Sequence, residues 1–374
     1  MSRPKLSTVI VKLASRCNLN CRYCYLYNHQ DKTYLQRPAL MRDEVFDAVL
    51  SAMARHCDRQ APHSMSILLH GGEPLLIGRE RFVQMVNRAR SVLRDKLRRI
   101  SVQTNGVLID DEWACTLAHL QIEVSVSLDG PKSTHDDQRI DHRGIGSYEQ
   151  VIRGIDALLA AGVHPYVLCV INPRCSGVET YRHLLSLGFK RFDFLLPDVT
   201  HDSKPLFYGD LSSGCIARYL VPIFDEWLET DDPSIEIRIF HTLLTRIMGG
   251  RASHDAFGNA RLSYIAVETD GTMEGLDVLR VCETGLSSTG LNVCEHDFED
   301  LAQGSQRIYE AMCFGFPAAS VCRACAEFGT CGGGYPPHRY SRTAQFDNPS
   351  VWCADIKALL SHMRGAISAR GFAC

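Results

Sequence analysis

Six short apolar segments alternate with amphipathic segments through the first half of the chain. The apolar segments are rich in valine, isoleucine and leucine, as strands buried on both faces are, and cover residues 8–13, 66–70, 100–103, 123–128, 165–171 and 191–195. The amphipathic segments have a helical period and cover residues 42–57, 79–92, 110–120, 147–161 and 177–187, the last two ending at Gly162 and Gly188. This alternation predicts a parallel sheet. Six units are two short of a closed eightfold barrel, so we predict an α/β fold, a partial (β/α)6 TIM-like barrel, with its site at the carboxyl ends of the strands.

The strand–helix repeat stops after Pro197. Helices are predicted for residues 215–228 and 239–248, and Asp270-Gly271 between two apolar runs predicts a β-hairpin. From about residue 263 onwards cysteine, glycine and proline dominate, and helical periodicity is expected to return only briefly. A metal centre is a usual substitute for a core in such a loop-rich segment. We therefore predict a barrel over residues 1–213, a helical bridge over 214–260 and a small cysteine-rich domain over 261–374.

Sixteen cysteines are the compositional outlier of this 374-residue chain. The N-terminus has no secretory apolar core, and no apolar run is long enough for a transmembrane helix. Clustered cysteines in such a chain indicate metal ligands rather than disulfides. The net charge is −3, from 40 basic and 43 acidic residues, without a sustained basic block. The sequence thus predicts a cytoplasmic protein that binds neither nucleic acid nor membrane.

Three cysteines follow the first predicted strand directly, in the order Cys17-Asn-Leu-Asn-Cys21-Arg-Tyr-Cys24. Iron in a cubane cluster prefers thiolate ligands, and three ligands for four irons leave one iron open to a small molecule. The alternative is structural zinc, which requires four closed ligands. No fourth cysteine or histidine lies at a conventional spacing, since the nearest is His29. The triplet therefore favours an iron–sulfur cluster.

This cysteine spacing, with Tyr23 before the third cysteine, resembles the radical S-adenosylmethionine (radical SAM) superfamily. The resemblance extends to about Leu196, through Gly-Gly-Glu-Pro at 71–74, Gln-Thr-Asn-Gly at 103–106 and Ser-Val-Ser-Leu-Asp-Gly at 125–130. It implies a 4Fe–4S cluster on the triplet that reductively cleaves S-adenosylmethionine to a 5′-deoxyadenosyl radical, fed by an external one-electron donor of the flavodoxin or ferredoxin type. It also implies that the cofactor contacts Tyr23, Gly71, Gly72, Glu73, Pro74, Gln103, Asn105, Ser127, Asp129 and Arg139.

A second cysteine set lies near the C-terminus and comprises Cys322, Cys325, Cys331 and Cys353. It resembles the SPASM extension of peptide-modifying radical SAM enzymes, where the corresponding four cysteines hold an auxiliary 4Fe–4S cluster. Zinc is the physical alternative, because paired cysteines also suit a tetrahedral zinc ion. The resemblance favours iron.

Two departures from the SPASM pattern bear on the number of clusters. Tyr335 stands where a further cysteine usually follows the triplet, and Leu276 stands where the Asp-Gly hairpin usually carries one. Many SPASM domains hold two auxiliary clusters, and these positions serve the proximal one. Cys282 and Cys294 form a possible substitute pair, although free thiols are the expected state. We predict one auxiliary cluster.

The C-terminal motifs around residues 331–340 and 346–355 resemble a subgroup of maturases that form cyclophane crosslinks in ribosomal peptides. The resemblance implies abstraction of a hydrogen atom, carbon–carbon bond formation, and loss of one electron and one proton. Asp277 is the candidate proton acceptor, because the matching hairpin position in peptide-oxidising relatives carries an acid; a turn-forming aspartate is the alternative. A small metabolite such as a nucleoside or sugar, with sulfur insertion from the auxiliary cluster as one possible outcome, is the alternative substrate class, since the chain reaches Cys17 without space for a leader-binding domain.

Overall fold

The structure is a computed structural model that describes residues 4–59, 64–209, 211, 213–251, 254, 256–257 and 261–371. Its strands are β1 (Thr8–Ala14), β2 (Met65–Gly71), β3 (Leu97–Thr104), β4 (Glu123–Ser127), β5 (Tyr166–Val170), β6 (Arg191–Leu195), β7 (Glu236–Ile237), β8 (Tyr264–Val267), β9 (Thr272–Glu274) and β10 (Ser288–Asn292). Its α-helices are α1 (Asp43–Arg59), α2 (Arg79–Leu93), α3 (Asp111–His119), α4 (Lys132–Gln138), α5 (Tyr148–Ala160), α6 (Gly177–Ser186), α7 (Lys204–Tyr208), α8 (Cys215–Thr230), α9 (Arg238–Ile247), α10 (Gln306–Phe314), α11 (Ser320–Arg323), α12 (Phe328–Cys331), α13 (Pro336–Arg339) and α14 (Cys353–Ala369).

One compact unit is formed by residues 1–127, 138–165 and 261–315. Its strand order is β10-β9-β8-β1-β2-β3-β4. Strand β1 pairs in parallel with a neighbour on each side, so that Val9 lies opposite Ile67 of β2 and Ile265 of β8. Strands β3 and β4 continue the parallel order. The predicted hairpin at Asp270-Gly271 is confirmed, because β8 and β9 are antiparallel around it.

The interior of this unit lies on both faces of β1. Val9, Val11 and Leu13 lie on one face of β1 and are fully buried, and Lys12 and Ala14 on the opposite face are buried too, as a strand in a parallel sheet covered on both faces requires. Lys12 interrupts this apolar run, and its side chain is only 1% exposed. Burying an ammonium group is costly unless it is paired, so Lys12 marks a functional or structural ion pair.

The second unit is formed by residues 128–137, 166–260 and 316–374. Strands β5, β6 and β7 are parallel, with Val167 opposite Phe192 and Phe192 opposite Ile237. Helix α8 packs against α6 and α14. The ring of Phe194 lies 5.7 Å from that of Phe192 and 5.9 Å from that of Tyr219, measured between centroids. These aromatic side chains fill the interior between the strands and α8.

The predicted α/β class with parallel strands is confirmed, and each of the six predicted strands is present. Gly162 and Gly188 follow α5 and α6 with φ of +74° and +83°, the left-handed conformation that glycine adopts most readily after a helix. Both units combine segments from the predicted barrel and the predicted C-terminal domain, so the boundaries at 213 and 260 stay a prediction.

The expectation that helical periodicity returns only briefly in the C-terminal region is wrong. Helix α14 spans 17 residues. Its buried apolar side chains recur at helical spacing, at Ile356, Leu359, Leu360, Met363 and Ile367. The signal was therefore present, beyond the cysteine-rich segment.

Among the described residues, no helix is both long enough and apolar enough to cross a membrane.

Candidate active site

The loop after β1 carries the first cysteine triplet. The backbone amide of Leu19 donates to Cys17 Sγ over 3.4 Å, and the amides of Leu26 and Tyr27 lie against the Cys24 sulfur. Burial, followed by the neighbouring Cys21, raises the pKa of the Cys24 thiol to about 11. Buried thiols that receive amide hydrogen bonds suit iron–sulfur ligation, because iron supplies the positive charge that deprotonates them.

The glycine pair at the end of β2 lies close to the end of β1. A Cβ atom at Gly71 would overlap the backbone of Ala14, and one at Gly72 would overlap the carbonyl of Arg16 and the Tyr27 hydroxyl. Only glycine fits both positions. The close approach is therefore to the loop that leads into the cysteine triplet, and it fixes the start of that loop.

Glu73 links the ends of β2 and β3. Its carboxylate accepts from the backbone of Leu75 over 3.0 Å, the Thr104 hydroxyl over 2.8 Å and the backbone of Asn105 over 2.8 Å. Burial raises the pKa of Glu73, and these hydrogen bonds oppose that rise. The structure thus gives Glu73 a role in loop geometry, and its predicted contact with the cofactor amino group stays a prediction.

Three further contacts join residues that the sequence assigned to the cofactor. The Gln103 side chain donates to the Ser127 hydroxyl over 3.0 Å, and the Arg139 guanidinium donates to the Tyr23 hydroxyl over 2.7 Å. The Asn105 amide lies 3.6 Å from Cys17 Sγ. The ends of β3 and β4 are therefore tied to the cysteine loop within one compact unit.

Asp129 belongs to the second unit and is 1% exposed. Its carboxylate accepts from the backbone of Val170 over 3.0 Å, at the end of β5. This contact fixes the carboxylate at the end of β5.

Asp277 is the first residue of a 3-10 helix, Asp277–Val281, and its side chain is buried. Lys12 Nζ donates to Asp277 Oδ2 over 2.5 Å, and the Tyr25 hydroxyl donates to the same oxygen over 2.8 Å. Lys12 Nζ also lies 3.4 Å from His70 Nδ1. Burial tends to raise the pKa of Asp277, but the charge and hydrogen bond of Lys12 outweigh it and hold the pKa at about 2. Asp277 is therefore a carboxylate at neutral pH, presented at the ends of β1 and β2.

Lys12, Tyr25 and His70 were not among the predicted site residues. The one signal for them was the lysine within the apolar run of β1, since Tyr25 and His70 have no distinctive pattern. Burial lowers the pKa of His70 to about 3, with Lys12 as the next cause. His70 is therefore neutral at physiological pH and can accept a hydrogen bond from Lys12.

The second cysteine set lines one apolar cavity in the second unit. Cys322, Cys325, Cys331 and Cys353 face it together with Phe328, Gly333, Ser350, Ile356 and others. The backbone amides of Gly333 and Gly334 lie against the Cys331 sulfur, and burial raises the pKa of this thiol to about 11. The φ angles of these glycines are +92° and +79°, a conformation that turns their amides towards the sulfur. The donors fit a buried iron–sulfur cluster.

A single metal ion and a cubane cluster make different demands on their ligands. Within the described ranges, no three His, Cys, Asp or Glu side chains converge closely enough to hold one. A tetrahedral zinc site draws all four sulfurs to about 2.3 Å from one ion, whereas cubane ligands each bind a different iron and stand further apart.

Residues 11–185 match the Radical SAM superfamily. The match includes the loop with the first cysteine triplet and, with the fold described above, it supports an enzyme that uses S-adenosylmethionine and a 4Fe–4S cluster.

Sequence relatives extend the similarity to almost the whole chain. The chain is 27% identical over 365 residues to the cysteine-type anaerobic sulfatase-maturating enzyme of Clostridium perfringens, covering 96% of each protein. It is 25% identical over 360 residues to the serine-type anaerobic sulfatase-maturating enzyme of Bacteroides thetaiotaomicron, covering 91% of this chain and 84% of the relative. The solved structure of native anSMEcpe with bound AdoMet and Cp18Cys peptide superposes with a TM-score of 0.83 at 25% identity, covering 98% of this chain and 99% of that one.

Proposed function

We propose that this enzyme oxidises a side chain of a ribosomally made peptide at an unactivated carbon, and that the oxidation closes a crosslink. The observation that supports a peptide substrate is the near full-length similarity to sulfatase-maturating enzymes. The structure of one of them has been solved with a peptide bound. The crosslink rests on the C-terminal motifs that resemble the cyclophane-forming subgroup.

The cysteine loop and the strand ends supply the groups that would hold the cofactors. Cys17, Cys21 and Cys24 would hold the cluster that binds S-adenosylmethionine, supported by their buried sulfurs and amide hydrogen bonds. When bound, these groups supply a 5′-deoxyadenosyl radical that takes a hydrogen atom from the substrate. The four C-terminal cysteines would hold the auxiliary cluster.

Four of the residues predicted to contact the cofactor form hydrogen-bonded pairs with one another in the structure. Gln103 and Ser127 bind each other at neighbouring strand ends, and Arg139 binds Tyr23 beside Cys24. Side chains that hold each other in this way are preorganised, so they need little reordering when a ligand binds. This preorganisation supports the proposed role of these four residues in cofactor binding. We propose the same role for Gly71, Gly72, Glu73, Pro74, Asn105 and Asp129.

Asp277 is the proposed acceptor of the proton that leaves the substrate. Its low pKa keeps it unprotonated across the neutral range, and the donors Lys12 and Tyr25 both engage Oδ2. That arrangement fixes the direction of the second oxygen, as a proton acceptor requires.

The experiment pairs the reconstituted enzyme, S-adenosylmethionine and a reductant with peptides encoded beside its gene. A crosslinked product lacks two hydrogen atoms and does not react with a hydrazide. A serine oxidised to an aldehyde also lacks two hydrogen atoms, but it is trapped by the hydrazide. Trapping of every oxidised product would refute crosslinking while leaving peptide oxidation in place. Absence of any peptide product, alongside sulfur incorporation into a nucleoside or sugar, would refute both.

The variant Asp277→Asn tests the proton acceptor. We expect it to form 5′-deoxyadenosine at the wild-type rate and to lose peptide product by about 100-fold or more, the scale on which a general base contributes. The control is Asp43→Asn, which removes an exposed ion pair with Arg81 in the same unit. Retention of product in Asp277→Asn would mean that another group takes the proton.

A further inference from the structure

Arg280 lies on the same 3-10 helix as Asp277 and is 1% exposed. Its Nη2 donates to Glu268 Oε1 over 2.6 Å and to Glu274 Oε1 over 2.5 Å, and its Nε donates to Glu274 Oε2 over 3.1 Å. Glu268 directly follows β8, and Glu274 ends β9. One guanidinium therefore ties the Asp277 helix to both sides of the hairpin.

Arg37 completes this arrangement. Its Nη1 lies 3.1 Å from Glu268 Oε2, and its Nη2 donates to Glu274 Oε1 over 2.7 Å. The Ser287 hydroxyl donates to Glu274 Oε2 over 3.1 Å. Two arginines and two glutamates thus form a charge-balanced, buried group, which we call the arginine–glutamate network (Arg37, Glu268, Glu274 and Arg280).

Each member of the network forms an ion pair with at least one other member. Burial raises the pKa of Glu268, and the nearby Glu274 raises it further, while Arg280 and Arg37 oppose both effects. Loss of one partner would leave a buried charge uncompensated, which is strongly unfavourable. Such a group holds its backbone segments in one geometry.

Leu276 relates the network to the proposed proton acceptor, Asp277. This residue immediately precedes Asp277 and is 2% exposed, and it occupies the position where the SPASM resemblance places a cysteine ligand of the proximal auxiliary cluster. A ligand there would fix the backbone beside Asp277 through iron. Leucine cannot do so, whereas Arg280 of the network lies four residues further along the same segment.

We propose that Arg280 is a positioning residue for Asp277, and that the arginine–glutamate network holds the Asp277 segment in place. This inference rests on the proposed role of Asp277 as the proton acceptor. Arg280 acts through the shared 3-10 helix, whereas Lys12 acts directly on the carboxylate.

The geometry predicts that charge alone is insufficient at position 280. Arginine offers a planar fork that reaches two carboxylates at once, and lysine offers a single point charge. Arg280→Lys keeps the positive charge near Asp277 but loses the fork. A defect in this variant therefore reports placement and not electrostatics.

The experiment compares Arg280→Lys with wild type in the reconstituted enzyme, and uses Arg55→Lys as the control. Arg55 also forms a forked contact with a carboxylate, that of Asp297, but its side chain is 48% exposed. One readout is peptide product per 5′-deoxyadenosine across pH 5–8. The other is amide hydrogen exchange of residues 276–282 without substrate.

We expect Arg280→Lys to lower product per 5′-deoxyadenosine by about 100-fold, the cost of a displacement of about 1 Å at a reacting group. The loss should be equal at every pH, the rate of 5′-deoxyadenosine formation should be unchanged, and exchange should accelerate in 276–282. Glu274→Gln removes one carboxylate charge from the network. This variant should show the same changes in product per 5′-deoxyadenosine and in amide exchange as Arg280→Lys. Product per 5′-deoxyadenosine within about twofold of wild type, or unchanged exchange, would overturn the positioning role.

The outcomes for Asp277→Asn and Arg280→Lys separate the two proposals. If Asp277→Asn abolishes product and Arg280→Lys does not, only the positioning role is refuted. If Asp277→Asn retains product, the proton acceptor is refuted, and the positioning role with it. An acidic fall in the Arg280→Lys profile would instead assign Arg280 an electrostatic role and overturn the inference.

Discussion

Replacing Lys12 with methionine should give this enzyme a pH dependence that the wild type lacks. Lys12 and Asp277 form an ion pair at 2.5 Å, with side chains 1% and 6% exposed. Methionine has a similar length and no charge, so Asp277 would keep its burial and lose its main cation. The Tyr25 hydroxyl would still donate to Oδ2.

The magnitude follows from the burial of the pair. Removing one partner of a buried ion pair costs about 3–5 kcal/mol, and one pKa unit corresponds to about 1.4 kcal/mol. The pKa of Asp277, about 2 in the wild type, should therefore rise by about 2–4 units. Proton acceptance needs the carboxylate, so activity is present above this pKa and is lost as pH falls through it. The wild-type midpoint lies far below the working range, and that of Lys12→Met lies within or near it.

The assay is product per 5′-deoxyadenosine between pH 5 and 8. This ratio cancels any effect of pH on cofactor cleavage. We expect a flat wild-type ratio and a Lys12→Met ratio that falls towards pH 5. Lys96→Met, which removes a lysine paired with Asp58 at 2.5 Å and 28% exposed, should behave like wild type. A flat ratio in Lys12→Met would refute the argument that Lys12 sets the charge of Asp277.

Three further predictions concern the clusters and the second unit. Replacing Cys17, Cys21 and Cys24 together with alanine should abolish 5′-deoxyadenosine formation, and a triple variant that still cleaves S-adenosylmethionine would contradict the cluster assignment. Reconstituted wild type should hold about eight irons per chain and a Cys322→Ala, Cys331→Ala variant about four, whereas about twelve in the wild type would show a second auxiliary cluster. Asp193→Asn should lower the free energy of unfolding by about 3 kcal/mol, because fully buried Asp193 binds Arg238 over 2.6 Å and the backbone of Ile239 over 3.0 Å. Burial tends to raise the pKa of Asp193, but the hydrogen bond with His254 and the charge of Arg238 hold that pKa below its ordinary value. The contacts of Asp193 therefore stabilise the fold above the ordinary aspartate pKa of about 3.9, and this stabilisation is lost as pH falls through the lower pKa of the folded protein. An unchanged denaturation midpoint of Asp193→Asn at pH 7 would contradict the expected loss of stability.

The strands were predictable because each combines apolar residues with a position in a regular repeat. Parallel strands are buried on both faces, and such runs are short and almost free of charge. Helix ends at Gly162 and Gly188 were predictable because the left-handed conformation leaves few alternatives to glycine. The cysteine sets were predictable because thiolate ligands are rare and closely spaced in the chain.

The partners of Lys12 were not predictable in this way. Asp277 lies 265 positions further along the chain, and no local spacing rule connects the two. The arginine–glutamate network left no signal either, since arginine and glutamate are ordinary surface residues until the fold buries them. Sequence could name Asp277 by resemblance, but only the structure gave it a charge state and a support.

The pairing of β8 with β1 determines where this protein can be truncated without exposing a strand edge. Residues 11–185 contain the matched superfamily segment, and they invite isolation as a minimal enzyme. In the structure, however, one side of β1 is hydrogen-bonded along Thr8–Val11 by β8, which arrives from residues 264–267. A truncated protein that keeps the whole of β1 and ends at residue 185 would expose that edge, and an uncovered apolar strand edge can pair with strands of other chains. We therefore expect the isolated segment to aggregate, and a separately supplied hairpin of residues 261–295 to increase its solubility by covering β1.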